Sequence, residues 1–203
     1  MMPEDTPVTG LVIRPLTPDG WAAFEDLFGP ERGANSGCWC MWPRMARKDW
    51  LAMDRASRKA AFRAIVERGP PPGLLAYEGE IAVGWCAVGP RTSVAGFQNA
   101  RTSKLLEPEA PERVFAVTCF YIRSGYRGRG LMGTLADAAV AYAKERGATA
   151  IDVCPIDTDR KLVWGEGFVG LASVFRALGF REIARRTPTC PLMRLDLSGG
   201  SAG

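Results

Sequence analysis

The rhythm of apolar and polar positions divides this chain into strands and helices that alternate in a definite order. Residues 8–16 read as a first strand. After Pro18-Asp19, the residues Trp21, Phe24, Leu27 and Phe28 fall at helical spacing, and Gly29 ends that helix. Residues 31–43 read as a loop that carries Cys38-Trp39-Cys40-Met41-Trp42, and residues 44–68 as helix in one or two pieces, stopped by Gly69-Pro70-Pro71-Pro72-Gly73. Residues 74–77 and 81–88 are strands across Glu78-Gly79-Glu80, a hairpin signal. A long polar loop is expected over 91–112, then a fourth strand over 114–122. Leu131, Leu135, Ala138, Ala139 and Tyr142 mark the buried stripe of the next helix, which Gly147 stops. A strand over 149–154 is halted by Pro155. A loop to Gly167, a helix over 171–178 and strands over 179–186 and 192–197 complete the chain. The order is β-α-α-β-β-β-α-β-α-β-β. It predicts an α/β (α+β) fold with a mixed central sheet of about seven strands and four helices. One domain is expected over 8–197, with flexible tails at 1–7 and 198–203.

The junction after the fourth strand is the most informative segment. It reads Arg123-Ser124-Gly125-Tyr126-Arg127-Gly128-Arg129-Gly130-Leu131-Met132-Gly133, and a helix begins at once. Glycine lets backbone approach a ligand because no Cβ intervenes. The first helical turn presents N–H groups without intrahelical partners, together with the positive end of the helix dipole. Two guanidinium groups share the corner. The physical reading is a seat for a phosphate or pyrophosphate, although tight corners also use glycine for purely local reasons. Gly128-x-Gly130-x-x-Gly133 fits the letter of a dinucleotide fingerprint, and Asp152 follows at about the expected distance. Too little chain remains, however, for the further βα units that a dinucleotide fold requires.

The same segment resembles the acyl-CoA signature of the GNAT N-acetyltransferases, Arg/Gln-x-x-Gly-x-Gly/Ala. Arg127, Gly128, Arg129, Gly130 and Leu131 fill its first five positions. Met132 departs at the sixth, and Gly133 follows it. The element order over about 8–197 is that of the GNAT fold, and Phe175-Arg176-Ala177-Leu178-Gly179-Phe180 is similar to the family's Tyr-x-x-x-Gly-Phe with phenylalanine in place of tyrosine. The resemblance implies an acyltransferase that moves an acetyl group from acetyl-CoA directly to an amine. The pyrophosphate would sit on the backbone of Arg127, Gly128, Arg129, Gly130, Leu131, Met132 and Gly133. The pantetheine arm would lie along Phe120, Tyr121 and Ile122, in a gap between the fourth and fifth strands. The rival from a different class is a GNAT-like module that binds acyl-CoA without catalysis.

Composition narrows the chemistry. The 203 residues carry 26 basic and 22 acidic side chains, a net charge of +4. That is too small to argue for nucleic acid and suits an anionic small molecule. Of the basic residues 21 are arginine, which makes no single arginine special. There is no histidine, which removes Ser-His-Asp and Cys-His catalysis, the common histidine-containing zinc sites and histidine pH switches. The six cysteines sit mostly in apolar runs and read as buried thiols, and Cys38-x-Cys40 is one residue short of a zinc knuckle. No metal is expected. With no signal-like or membrane-spanning apolar run, the expectation is a cytoplasmic protein whose partner is a small-molecule or peptide amine, with no nucleic acid or membrane partner. A homodimer is among the assemblies left open.

The acyl acceptor must be a neutral amine. A lysine-like amine is neutral in about one molecule in 2,500 at pH 7, a handicap of about 4.6 kcal/mol, whereas an α-amine loses only about 1–1.4 kcal/mol. The fourth strand holds no acid. By resemblance, Asp152 on the fifth strand stands where relatives carry a glutamate, and it is the candidate base, with a structural acid as the alternative reading. Asp157, Asp159 and Glu166 are fallbacks. The family's tyrosine proton donor maps to Phe175, which cannot donate. Tyr121, Tyr126 and Ser173 are weaker candidates, and an unassisted thiolate is the other route. Cys119 and Cys154 are read as core thiols. The acceptor pocket is expected to draw on Trp39, Met41, Trp42 and Trp164.

Overall fold

The computed structural model describes residues 10–29, 33–34, 37–105, 113–160 and 167–198. Among them run seven strands and six α-helices. They are β1 (Leu11–Pro15), α1 (Trp21–Phe28), α2 (Arg47–Ala52), α3 (Arg55–Arg68), β2 (Gly73–Glu78), β3 (Ile81–Pro90), α4 (Ala95–Asn99), β4 (Val114–Ile122), α5 (Leu131–Glu145), β5 (Ala150–Val153), α6 (Ala172–Ala177), β6 (Arg181–Arg185) and β7 (Pro191–Asp196). The expected order survives. Two helices are added to the expected four: the 44–68 segment divides at Met53-Asp54, and the polar stretch after β3 contains α4 around the buried Phe97. One buried aromatic in a short polar segment leaves no periodic trace for a sequence to show.

The sheet has the order β1-β2-β3-β4-β5-β7-β6, and it is antiparallel except where β4 and β5 run parallel. That parallel pair is the crossover α5 makes, as a parallel connection requires. One sheet face packs α5 and α6 through Leu131, Leu135, Ala139, Phe120, Phe175 and Phe180. The other packs α1 and α3 around the fully buried Trp85, ringed by Phe24 at 5.0 Å, Phe62 at 6.0 Å and Phe28 at 6.4 Å. Truncating Trp85 to alanine would cost about 3–5 kcal/mol on the usual scale for buried aromatics. The helix start at α3 is fixed by Asp54, whose carboxylate accepts the Ser57 N–H at 2.7 Å. No helix among the described residues is long and apolar enough to cross a membrane.

Candidate active site

The β4–α5 turn is built to keep an outward surface of bare backbone. Gly128 and Gly130 hold φ of +76° and +77°, a region costly for other residues, and a Cβ on either would meet nothing within 4 Å. Gly130 is the residue before α5, and its carbonyl accepts from Gly133 N–H at 2.9 Å and Thr134 N–H at 3.3 Å. The side chains of the turn work beneath it. Arg123 donates to the Ala82 carbonyl at 2.9 Å and pairs with Asp26. Arg127 donates from Nε to the Ile122 carbonyl at 3.1 Å, so part of its function is to pin the end of β4. Arg129 lies 5.4 Å from the Tyr126 ring, whose hydroxyl donates to Glu78. Tyr126 is thereby committed to holding this turn. Leu131 is buried in the α5 core and Met132 packs against it, which accommodates methionine at the position where the resemblance wants a small residue.

Next to this turn, β4 outruns its parallel neighbour. The pairing covers Val114↔Ala150 to Val117↔Val153, and β5 then ends. Pro155 follows, and the chain turns to pair elsewhere: Ile156 N–H donates to Gly170 O and Ala172 N–H to Ile156 O, both at 2.9 Å. At the same point the β3–β4 register shifts from Val88↔Val117 to Ala87↔Cys119, which leaves Thr118 in a bulge. Phe120, Tyr121 and Ile122 therefore lie on the part of β4 that has left β5.

A cavity of about 330 Å³ opens on the α1–α3 face of this stretch. Its walls come from α1 (Phe28), the α1–α2 connection (Ala34, Cys38, Cys40, Trp42, Pro43), α2 (Trp50), β4 (Thr118, Cys119, Tyr121) and the turn before α6 (Phe168, Val169). Tyr121 and Phe168 stack in parallel planes with centroids 6.0 Å apart, Phe28 lies 5.1 Å from Tyr121, and Trp42 meets Trp50 edge-on at 5.0 Å. The buried Arg58 of α3 holds this wall. It donates to Gly37 O at 3.3 Å, Trp50 O at 2.8 Å and Met53 O at 2.6 Å, with its guanidinium 3.6 Å from the Trp50 ring centre. Among its described residues, the α1–α2 connection also bears three non-glycine residues at positive φ: Ala34 (60°), Trp39 (45°) and Cys40 (59°). Such strain costs about 1–3 kcal/mol per residue and concentrates at ligand sites.

Three thiols face the cavity. Trp85 Nε1 donates to Cys40 Sγ at 3.3 Å. A hydrogen bond from the Cys119 thiol, the charge of Arg44 and the Trp85 N–H hold Cys40 below an ordinary thiol, against the opposing effect of burial. Cys119 is pushed well up by that bond and by burial, and keeps its proton. Burial raises Cys38 as well. Cys119, expected as a core thiol, is therefore a wall residue. Cys154, pushed up to about 11 by burial, does stay a packing thiol.

The other sequence candidates separate clearly. Trp42 and Tyr121 line the cavity. Trp39 and Met41 do not: they are 2% and 5% exposed within the second core cluster, and Trp39 stacks on Phe28 at 5.9 Å and Trp21 at 6.4 Å. Both are packing anchors. Trp164 and Glu166 lie outside the described residues. Asp152 is fully buried and both of its oxygens are taken, by Arg91 at 2.7 Å and by Arg194 at 2.7 and 2.9 Å. Arg91 also donates to Ser103 O at 2.6 Å and lies over the Phe97 ring, which ties the α4 segment to β5. A carboxylate enclosed by two guanidinium groups cannot reach an amine, so the structural alternative for Asp152 holds and its role as a base is withdrawn. Asp157 is engaged by Arg176 and Arg185, whose hydrogen bonds hold its carboxyl down at about 2. Asp159 is exposed, and so is Ser173 on α6, away from the cavity wall. Phe175 is fully buried between Phe120 at 6.0 Å and Phe180 at 5.2 Å. Trp50, Arg58, Thr118 and Phe168 escaped sequence reading, because only the tertiary fold brings them together.

Sequence similarity to the Acetyltransferase (GNAT) family spans residues 39–162. The yncA structure from Salmonella typhimurium, solved with its cofactor acetyl-CoA, superposes with a TM-score of 0.53 at 16% identity, covering 96% of this chain and 98% of that one. A ribosomal-protein-alanine N-acetyltransferase from Brucella melitensis gives 0.53 at 18% identity, over 92% and 99%. The paia N-acetyltransferase from Thermoplasma acidophilum in complex with coenzyme A gives 0.51 at 13%, over 93% and 99%. At such identities the likeness speaks for the fold. No curated protein is significantly similar in sequence. The family match covers more than half of the chain, and the chain belongs to the GNAT acetyltransferase family.

Proposed function

We propose that this protein is an N-acetyltransferase that moves an acetyl group from acetyl-CoA to an amine held in the cavity beside β4. The observation that carries the reading is one of placement. The glycine turn before α5, the stretch of β4 that has left β5, and a cavity lined by Thr118, Cys119 and Tyr121 follow one another along a single strand. The open space over Gly128 and Gly130 fits a pyrophosphate received by backbone N–H groups. An arm running back from that turn along Ile122, Tyr121 and Phe120 would bring its end to Cys119 and Thr118, at the cavity. Acetyl-CoA supplies the activated thioester. The chain's own residues seat it and shape the acceptor site.

The test is chromatographic measurement of free CoA released with a panel of amines, beside calorimetry of acetyl-CoA binding. Chromatography is preferred because six protein thiols would react with a colorimetric thiol reagent. Amine-dependent CoA release is expected. Acetyl-CoA binding with no release for any amine would favour the second reading, a non-catalytic acyl-CoA-binding module. The burial of Phe175 and the enclosure of Asp152 by Arg91 and Arg194 speak for that rival.

A further inference from the structure

The acceptor cavity has a chemistry of its own, and it narrows the substrate. Its walls are aromatic rings, proline, alanine, valine and thiols. Two buried polar atoms of its lining residues have no hydrogen-bond partner among the described residues. Thr118 is 8% exposed, and its hydroxyl, at the bulge where β4 leaves β5, makes no hydrogen bond. The indole nitrogen of Trp50 is likewise buried and unbonded. Leaving a buried hydroxyl or N–H unsatisfied costs about 1–3 kcal/mol each, which a ligand that brought a polar atom to them would recover. The pair is complementary. The Thr118 oxygen can accept an N–H, and the Trp50 N–H can donate to a neutral oxygen. The volume is that of a small-molecule site.

Resting on the proposed function, we propose that the acceptor is a small primary amine on an uncharged, ring-bearing body. Its nitrogen is of α-amine acidity and is held by Thr118, and it carries one neutral acceptor oxygen for Trp50. An aromatic amino-acid amide has this chemistry. Aromatic faces at Phe28, Trp42, Trp50, Tyr121 and Phe168 receive the ring by stacking or edge contact. A second ammonium or a carboxylate would be desolvated against them with no charged side chain among the described lining residues, which is the costly case. In the transfer, the nitrogen lone pair of the neutral amine forms the C–N bond to the thioester carbonyl carbon. The C–S bond breaks with its electron pair on sulfur, and the proton lost by nitrogen balances the thiolate. The products are the acetamide and free CoA thiol, with no oxidant or further reactant.

The experiment uses the full chain and phenylalanine amide as probe, with glycine amide, glutamic acid α-amide and cadaverine as comparators. Glycine amide keeps the α-amine and removes the ring. The other two add a charge. Binding to the protein–CoA complex is read from tryptophan fluorescence, since Trp42 and Trp50 line the cavity, and turnover is read from CoA release. Phenylalanine amide should be favoured over each comparator by about tenfold or more, the scale of one buried ring or one desolvated charge. Thr118→Val should lower its kcat/KM by about 3- to 10-fold, the net worth of one hydrogen bond, with acetyl-CoA affinity unchanged, and Thr118→Ser should retain activity. Equal or better use of glycine amide, the acidic amide or cadaverine would overturn the inference, as would an inert Thr118→Val exchange. If no amine releases CoA, the proposed catalysis fails. The binding preference for phenylalanine amide then still decides the inference, because it needs no turnover. The ranking is made on the unaltered protein and so does not depend on any variant folding.

Discussion

Replacing Asp152 by asparagine separates a structural from a catalytic role with one variant. The side chains of Asp152 and Arg91 have no exposed surface, and that of Arg194 is 10% exposed. Three short hydrogen bonds, at 2.7, 2.7 and 2.9 Å, join the carboxylate to the two guanidinium groups. Assembling such a triad recovers little more than its desolvation cost, so its presence alone is weak evidence of stability. Removing one partner is a different matter, since it leaves buried charge uncompensated and costs about 3–5 kcal/mol. Asparagine removes the carboxylate that Arg91 and Arg194 share and turns an N–H toward one of them. In a domain of this size each kcal/mol moves Tm by about 2–4 °C, so Asp152→Asn should melt about 6–20 °C lower. Arg194→Met should cost less, because Arg91 and Asp152 remain paired and Arg194 sits at the rim. The assay is thermal unfolding followed by tryptophan fluorescence, with acetyl-CoA calorimetry and turnover measured well below the lower Tm. The folded variant should bind acetyl-CoA normally and turn over within about tenfold of the parent. A melting temperature within about 2 °C of the parent, with turnover reduced by about 10² to 10⁴ as for a lost general base, would refute the structural assignment.

Two other outcomes follow from the turn and from the surface network. Gly130→Val forces a β-branched residue to φ near +77° and into the open space over the turn, so acetyl-CoA affinity should fall by about tenfold or more with the fold retained. Gly130→Ala should fall between, and unchanged calorimetric affinity in a folded Gly130→Val protein would remove the turn from the binding site. Asp157 has its folded pKa lowered to about 2 by hydrogen bonds from Arg176 and Arg185. Its contribution is therefore present above an unfolded value of about 3.8 and is lost as pH falls from about 4 to 2. Asp157→Asn should flatten the stability profile in that window and leave it parallel to the parent above pH 5, as read by urea midpoints. An unaltered slope below pH 4 would show the network to be idle. The effect is small, because Arg176 is half exposed and solvent screens it.

The legible part of this molecule was the part written in local pattern. Periodicity placed β4 at Val114–Ile122 and the stripe of α5 at Leu131, Leu135 and Ala139. Glycine content marked the turn between them, and its positive φ values bear out the need for glycine there. What remained hidden depends on contacts across sequence distances. Asp152 read as a candidate base by resemblance, and a strand acid shows no sign of its partners, which lie 61 and 42 residues away. Trp39 and Trp42 are separated by three positions in one loop, yet one stacks into the core and the other walls the cavity. The connection reverses through Trp39 and Cys40 at positive φ, which no propensity scale anticipates for those residues. Thr118 carried no signal at all. Its exposure to the cavity is a product of the bulge, and the bulge is a property of how β3 and β4 pair.

The enclosure of Asp152 and the burial of Phe175 bear on the same point in the chemistry. A base near the amine and an acid near the leaving sulfur each shift a proton at neutral pH. Here one candidate is locked between arginines and the other is a hydrocarbon ring. Asp157 is held as a weak base by its own arginine partners. The described titratable groups that do face the cavity are Cys38, Cys40, Cys119 and Tyr121. Of the three thiols, only Cys40 is lowered, and its sulfur already accepts the Trp85 N–H. On the proposed transfer, proton handling by these described groups would be weak, and the acceptor's own acidity would supply what they do not. An α-amine arrives neutral at a loss of about 1–1.4 kcal/mol, against about 4.6 kcal/mol for a lysine-like amine, and a simple thiol leaves with a pKa near 8.5. The difference of more than 3 kcal/mol exceeds the net worth of any single hydrogen bond the cavity can offer. On the proposed acetyl transfer, selection among amines in this site would begin with their basicity, and the aromatic wall and Thr118 would act on those that pass that first discrimination.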